Sequence, residues 1–281
     1  MKKTLVKLHF KTPLHIGKRS LTDSEFTIKA DTLFSALFIE SGYNKNLLEA
    51  VEAGELRFSD CLPFIDNSYY IPKPMIHVES EEDPKLYKNL HYIPENLLED
   101  YLEGDLDPVA ELEFFNLGHA DLRMRVEVEE DPYAVGTYSF HENAGLYFIM
   151  EYKDDFIFSI LDSLQYSGIG GKRSSGLGRF IYSTDEAFDL REDKLGKILL
   201  TTSMAMDNEL DEVMEEAVFL LDKRSGFIHG SGYKKVDFYS FKPGSVFTKG
   251  FKGQIFNVGN DEHPVYRYGI PIFMGVDLNE L

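Results

Sequence analysis

The run Phe156-Ile-Phe-Ser-Ile160-Leu161-Asp-Ser-Leu164-Gln-Tyr-Ser-Gly168-Ile-Gly170-Gly171-Lys172-Arg173-Ser174-Ser175-Gly176-Leu-Gly178-Arg179-Phe-Ile-Tyr182 makes three structural statements in succession. Phe156, Ile160, Leu161 and Leu164 fall on one face at helical spacing, with Asp154 or Asp155 ahead of them as N-cap. Five glycines in eleven residues then end the helix, and a strand over Arg179–Tyr182 follows. Glycine lets a backbone reach positive φ and approach a partner closely. Successive N–H groups in such a loop form an anion-binding concavity. Lys172, Arg173 and Arg179 add positive charge, and Ser174 and Ser175 add neutral donors suited to phosphate oxygens. The segment predicts a cradle for a phosphate-rich ligand, and a nucleic-acid backbone fits best. A flexible glycine connection that binds nothing is the competing reading.

Neither common nucleotide motif accounts for these glycines. A Walker A loop requires Ser or Thr after Gly-Lys, and Gly171-Lys172 is followed by Arg173. The dinucleotide fingerprint requires a preceding strand and a third glycine, whereas the spacing from Gly168 and Gly170 leads to Arg173 after a helix.

Working outward, Thr4–Phe10 alternates with Val6, Leu8 and Phe10 on one face, which predicts a half-buried strand. Asp31 is expected to cap a helix striped by Leu33, Phe34, Leu37 and Phe38 and ended by Gly42. Leu56–Phe58 and Tyr69–Ile71 read as short strands, and helical pieces fall near Pro94–Tyr101. Arg123–Val128 and Gly136–Phe140 alternate about a turn at Asp131-Pro132 and predict a β-hairpin. Leu146–Met150 reads as a buried strand. Ahead of Asp185 the order is therefore strand, helix, strand pair with a long insertion, helix, strand, as in a ferredoxin-like (RRM-like) β-α-β-β-α-β unit. A second start follows: a strand near Ile198–Thr202, a helix near Leu210–Leu221, then glycine-punctuated strands. The expected fold class is α+β, with two ferredoxin-like domains at 1–185 and 186–281. The first carries an insertion over about 79–143.

The chain has 281 residues and 43% apolar content, which excludes global disorder. No apolar run reaches the ~20 residues of a membrane-spanning helix, and the N-terminus lacks a signal-peptide stretch, so a cytoplasmic location is expected. Cys61 alone makes neither a disulfide nor a zinc cluster and reads as a buried hydrophobe. A net charge of −19 argues against indiscriminate nucleic-acid binding. The charge is unevenly placed, however. Residues 1–30 hold seven basic against two acidic residues, and 223–253 hold seven against one. Acid gathers over 79–113 and 185–216, as solvated faces or surfaces for a basic partner.

A glycine-rich basic loop between the last helix and strand of such a unit resembles the RAMP superfamily of CRISPR proteins. Thr12-Pro-Leu-His-Ile-Gly17 with Asp31-Thr-Leu-Phe-Ser-Ala36 is similar to the N-terminal signature of the fourth subunit of type III-A Csm complexes. Pro243-Gly-Ser-Val-Phe247 and Pro264-Val-Tyr-Arg-Tyr-Gly269 are similar to its C-terminal signature. The resemblance implies a non-catalytic, RNA-binding subunit, without a cofactor, that grips the 5′ tag of the guide RNA (crRNA). It also implies contacts with the large polymerase-like subunit and with a backbone RAMP subunit. By position, Gly168–Arg179 would be the gripping loop and Arg123–Phe140 a thumb that helps displace a base. Where that family often has Asn and Asp near the hairpin start, this sequence has Met124 and Glu127.

Single-stranded RNA is held by phosphate contacts plus stacking on aromatic or Arg planes. Arg123, Arg125, Tyr133, Tyr138 and Phe140 offer that mixture, although an amphipathic ribbon packed on the body explains the same alternation. Glu127, Glu129, Glu130 and Asp131 near the tip repel phosphate. His15, beside Lys18 and Arg19, is the histidine best placed to act as general base in a metal-independent endoribonuclease, the alternative function. A turn histidine that bonds backbone or phosphate without chemistry is the plainer reading. Lys249 and Lys252, with Lys234, Lys235 and Lys242, interleave with Tyr233, Phe238, Tyr239, Phe241 and Phe251, a pattern suited to RNA or to a protein interface. The remaining histidines lack metal-ligand spacing, and none of the carboxylate pairs is singled out for acid–base or two-metal work. A pure protein-interaction module is the third reading.

Overall fold

Alternation puts Val6 and Leu8 of the first strand, Lys2–Phe10, on one face and Leu5 on the other, and the strand is buried at the centre of a sheet. The computed structural model describes residues 1–18, 20–80, 82–126, 131–185, 189–226, 234–259 and 264–277. Arg19, Glu127, Val128, Glu129, Glu130 and Tyr233 lie outside the described residues. Lys2–Phe10 pairs antiparallel with Ala144–Tyr152 on one side and Phe180–Asp185 on the other. Leu56–Phe58 and Leu62–Ile65 pair with the far edge of Ala144–Tyr152. Taking Leu56–Phe58 and Leu62–Ile65 together as one edge, these strands lie in the order fourth, first, third, second, and Ser68–Pro72 and Tyr92–Pro94 extend the sheet beyond that edge.

Helices Ala30–Glu40 and Phe156–Ser167 cover one face of that sheet. Leu33, Phe34 and Leu37 of the first helix and Ile157, Leu161 and Leu164 of the second meet Val6, Leu8, Leu146, Phe148 and Met150 in one core. The opposite face packs through Leu5, Leu62, Phe64, Tyr147 and Ile149 against Ile198, Leu200, Val246, Ile272 and Met274. Several of these come from a four-stranded antiparallel sheet in the order Ala217–Val218, Val246–Phe247, Gly196–Leu199, Phe273–Val276. The fold is α+β with antiparallel sheets. Among the described residues no helix is long and apolar enough to cross a membrane.

The expected hairpin forms, as Gly118–Arg125 paired with Tyr133–Phe140. The helix expected over Leu210–Leu221 does not extend that far: it spans Leu210–Met214. Glu215 turns extended and Glu216 takes φ +52°, after which Ala217–Val218 and Leu221–Arg224 are strands. Asp154 rather than Asp155 accepts the Phe156 N–H, at 3.1 Å, while Asp155 pairs with Lys2 at 2.8 Å.

Asp31 is not the helix cap. Lys29 occupies that position without a side-chain hydrogen bond, and the helix N-terminus is served from elsewhere. Asp60 Oδ1 accepts the N–H of Ala30 at 2.8 Å and that of Thr202 at 2.7 Å, and Oδ2 accepts the Thr202 hydroxyl at 2.6 Å. Burial pushes the Asp60 carboxyl up to about 6, against the pull of those hydrogen bonds. Asp31, the second residue of the helix, is buried, and Arg224 Nη2 lies 2.9 and 3.0 Å from its two oxygens while Arg267 Nη1 also donates to it. Burial alone would raise the Asp31 carboxyl, but the two guanidinium groups outweigh it and hold the group below the usual carboxylate range.

Breaking such a buried set is costly because the remaining charges lose their counter-ion. Asp31→Asn is expected to destabilise the fold by about 3–5 kcal/mol, read as a lowered denaturant midpoint with unchanged slope. A loss no larger than that of an exposed Asp→Asn control would refute the role assigned to this carboxylate.

Candidate nucleic-acid interface

The helix Phe156–Ser167 ends where the Gly168 N–H donates to Leu164 C=O at 2.7 Å. From there the loop is stitched to the segment that follows the first strand. The N–H of Gly171 donates to His15 C=O at 2.8 Å, that of Gly178 to Pro13 C=O at 2.9 Å, and that of Arg179 to Thr12 Oγ1 at 2.9 Å. Across the loop, Ile169 N–H donates to Gly178 C=O at 3.0 Å, and the Ile169 side chain is buried. Gly178 has φ +73°, and a Cβ there would fall 1.9 Å from the Ile169 carbonyl oxygen. Gly170 has φ +95°, and a Cβ would fall 2.5 Å from the His15 carbonyl oxygen. At the loop's base the glycines thus serve tight backbone packing, and the Ile169, Gly171 and Gly178 N–H groups are already used inside the protein. The base of the expected cradle is therefore part of the packed body rather than a flexible connection.

The part left to a ligand is the tip. Arg173–Ser175 forms a single 3₁₀ turn between Lys172 and Gly176, both left-handed, and Ser174 and Ser175 are exposed. Among the described residues the Arg173 and Arg179 guanidinium groups have no ion pair or hydrogen-bond partner, and the N–H groups of Gly170 and Ser174 have no acceptor. Lys172 Nζ donates to Tyr133 Oη at 2.9 Å and sits 4.7 Å from the centre of that ring, which ties the tip to the hairpin.

His15 lies beneath the loop, buried, with Nδ1 2.6 Å from the Gly136 carbonyl oxygen of the hairpin. A carbonyl only accepts, so Nδ1 carries a proton, and in the neutral tautomer this leaves Nε2 as the acceptor. A Cβ on Gly171 would fall 2.7 Å from the His15 ring. His15 thus joins three segments: its own turn, the hairpin and the loop.

On the hairpin, Arg123 stands opposite Val135, and Arg125 opposite Tyr133 beside the Lys172 contact. Arg125 Nε is buried and without an acceptor among the described residues. Tyr138 packs on Phe26 (5.4 Å between ring centres) and edge-on to Phe140 (5.1 Å), so its ring supports the hairpin base. Lys18 lies 3.7 Å from Glu25. Two expected site residues are not brought to the loop. Lys249 pairs with Glu212 and Glu215 at 3.5 and 3.4 Å. Lys252 lines a cavity of about 440 Å³ with Arg57. Arg57 stands opposite Glu151, which stands opposite Lys3, whereas the loop adjoins the Phe10 end of the same strand, about 24 Å away at the rise of an extended chain.

The hairpin also carries a feature that the pattern of charges hides. Leu122, Met124 and Val126 form an exposed apolar row, 59, 65 and 72% accessible. Their period-two spacing is the signal in the sequence, masked by the arginines that alternate with them.

The antiparallel α+β fold is that of CRISPR interference subunits of known structure. The chain superposes on the crystal structure of a Csm3–Csm4 subcomplex from a type III-A CRISPR-Cas interference complex with TM-score 0.67, 19% identity, and 99% and 100% of the two chains covered. A Csm1–Csm4 cassette in complex with AMPPNP gives 0.62 at 19% identity, with 99% of each chain covered. These likenesses are of fold. The family is fixed by sequence. Residues 192–276 match the CRISPR Csm4 C-terminal domain. The CRISPR system Cms protein Csm4 of Mycobacterium tuberculosis is 33% identical over 285 residues, covering 93% of this chain and 94% of the relative. That of Streptococcus thermophilus is 32% identical over 295 residues, covering 94% and 96%. The chain belongs to the Csm4 family.

The packing at the loop base makes a sharp comparison. Gly176 and Gly178 are both left-handed, but a Cβ on Gly176 meets nothing within 4 Å. Both alanine substitutions cost about 1 kcal/mol for the backbone, and Gly178→Ala alone adds the clash with Ile169. Thermal denaturation is expected to show the larger loss for Gly178→Ala, and equal losses would overturn the account of the seated loop.

Proposed function

We propose that this chain is the non-catalytic RNA-binding subunit of a type III-A CRISPR complex, gripping the 5′ tag of the guide RNA between the glycine-loop tip and the hairpin. The observation that carries the reading is the tip itself: Arg173 and Arg179 without carboxylate partners among the described residues, next to exposed Ser174 and Ser175, held to the hairpin through Lys172 and Tyr133. Phosphate contacts from such groups fix register, and the exposed Leu122, Met124 and Val126 row suits a wedge beside unstacked bases. A body of net charge −19 confines the attraction to this locality. The strand order fourth-first-third-second supports a ferredoxin-like unit over 1–185, with a second over 186–281. The solved relatives assemble with Csm3 and with Csm1, and the same docking is proposed here, to a backbone RAMP subunit and to the large polymerase-like subunit, in the cytoplasm.

The test is a salt titration of the full chain binding tag-containing RNA. Lys172→Ala with Arg173→Ala is expected to weaken binding and to flatten the slope of log K against log salt by about 1.4, since each phosphate no longer neutralised on a single strand removes ~0.7. Arg173→Ala alone, which leaves the Tyr133 contact intact, is expected to give half that change. Unchanged affinity and slope refute the grip. The alternative is a metal-independent endoribonuclease with His15 as general base, for which the proton on Nδ1 leaves Nε2 as acceptor. Labelled repeat RNA incubated with the chain in EDTA separates the two. Cleavage lost on His15→Ala would replace the binding-subunit reading, and intact RNA retains it.

A further inference from the structure

The central sheet has one face packed against two helices and a second face covered only over part of its length. On that second face Leu5 is buried in the core with Ile198 and Ile272. Further along the same strand Lys7 and His9 are half-buried, and Lys11, just past its end, is exposed. In register beside them on the neighbouring strand stand Ser183, opposite Lys7, and Ile181, opposite His9, both exposed. Lys11 N–H donates to the Arg179 carbonyl at 2.8 Å, so the row runs directly into the residue that closes the glycine loop.

The chemistry of this strip is cationic and aromatic. Lys7 Nζ sits 4.6 Å from the centre of the Phe64 ring and 5.0 Å from that of Tyr69, and donates to the Asp66 carbonyl at 3.3 Å. His9 meets Phe64 edge-on at 5.1 Å. Burial, with Lys7 and Lys11 alongside, lowers the His9 imidazole from its ordinary value, which favours the neutral ring. Among the described residues no carboxylate pairs with Lys7, Lys11 or Arg179. The acids at the margins are engaged: Asp66 accepts the Asn143 amide at 2.9 Å, and Asp185 accepts the Tyr69 hydroxyl at 3.2 Å at the covered end.

We propose that this open half-face is a second RNA contact, a track for single-stranded nucleotides adjoining those held by the glycine-loop tip. Alternate residues on one face of a strand lie about 6.8 Å apart, so Lys7 to Lys11 spans about 14 Å, room for a short run of an extended strand. Cations beside the half-buried His9 and Tyr69 rings, with the buried Phe64 ring beneath them, are a combination that holds such a strand without reading its sequence. The track rests on the function proposed above, since it continues from the loop tip.

The full chain is titrated with two labelled single-stranded RNAs, one only long enough for the loop site and one extended beyond it. Lys7→Ala with Lys11→Ala is expected to weaken the longer RNA alone, lowering its salt slope by about 0.7 for each phosphate that no longer meets a lysine. Lys11→Ala by itself, at an exposed residue whose side chain has no partner among the described residues, gives half the effect with no demand on folding. Equal binding of the longer RNA by the face variants and the parent overturns the track. If those variants instead release a protein subunit from the assembled complex with RNA affinity unchanged, the face is a protein interface and the RNA assignment fails. Lys172→Ala with Arg173→Ala reports on the loop separately. Loss of both RNAs there, with the face variants silent, sinks the track and spares the loop. The reverse pattern sinks the loop and spares the track.

Discussion

The imidazole of His15 is the joint on which the candidate site depends. Its Nδ1 proton goes to the Gly136 carbonyl of the hairpin at 2.6 Å, while its own backbone carbonyl receives the Gly171 N–H at 2.8 Å. Three segments far apart in sequence are thereby fixed within one hydrogen bond of each other. A hydrogen bond in a site shielded from water is worth more than one at the surface, and its loss leaves a buried group unpaired. The Lys172–Tyr133 contact adds a second link between loop and hairpin nearer to solvent. The loop tip can therefore present its arginines at a defined distance from the hairpin, which is the pre-organisation that binding an extended ligand rewards.

A second constraint acts between the two ends of the chain. Asp31 lies in the first turn of the first helix and Asp60 accepts that helix's Ala30 N–H, and each also reaches the second half: Arg224 and Arg267 for the former, Thr202 for the latter. Tyr268 completes the arrangement by stacking on Phe58 at 4.4 Å and accepting the Phe58 N–H at 3.0 Å. Charge pairing here is a matter of specificity as much as of stability, since a buried carboxylate between two guanidinium groups tolerates few alternative packings.

Local patterns carried most of the architecture. The helical spacing of Leu33, Phe34 and Leu37, the alternation in Thr4–Phe10 and the dense apolar run at Leu146–Met150 each report a burial that the fold realises. What escaped were partners set by distant sequence. Asp31 looks like a cap because capping is a local rule, yet its arginines lie 193 and 236 residues away. The glycine loop advertises anion binding by composition, but composition does not say which N–H groups the protein keeps for itself; Pro13 and His15 take two of them. Likewise Lys249 and Lys252 carry the right charge in the wrong place, one neutralised by neighbouring glutamates and the other at the far end of the sheet.

The position of Tyr268 and Ile270 inside the first core has a consequence for biogenesis. While the ribosome is still adding residues before 266, the pocket above Phe58 stands open and the helix-covered core lacks two of its side chains. Closure waits for a segment 210 residues downstream of Phe58, a non-local contact of the kind that slows folding. A nascent chain in that interval exposes apolar surface, the condition under which chaperones engage their clients.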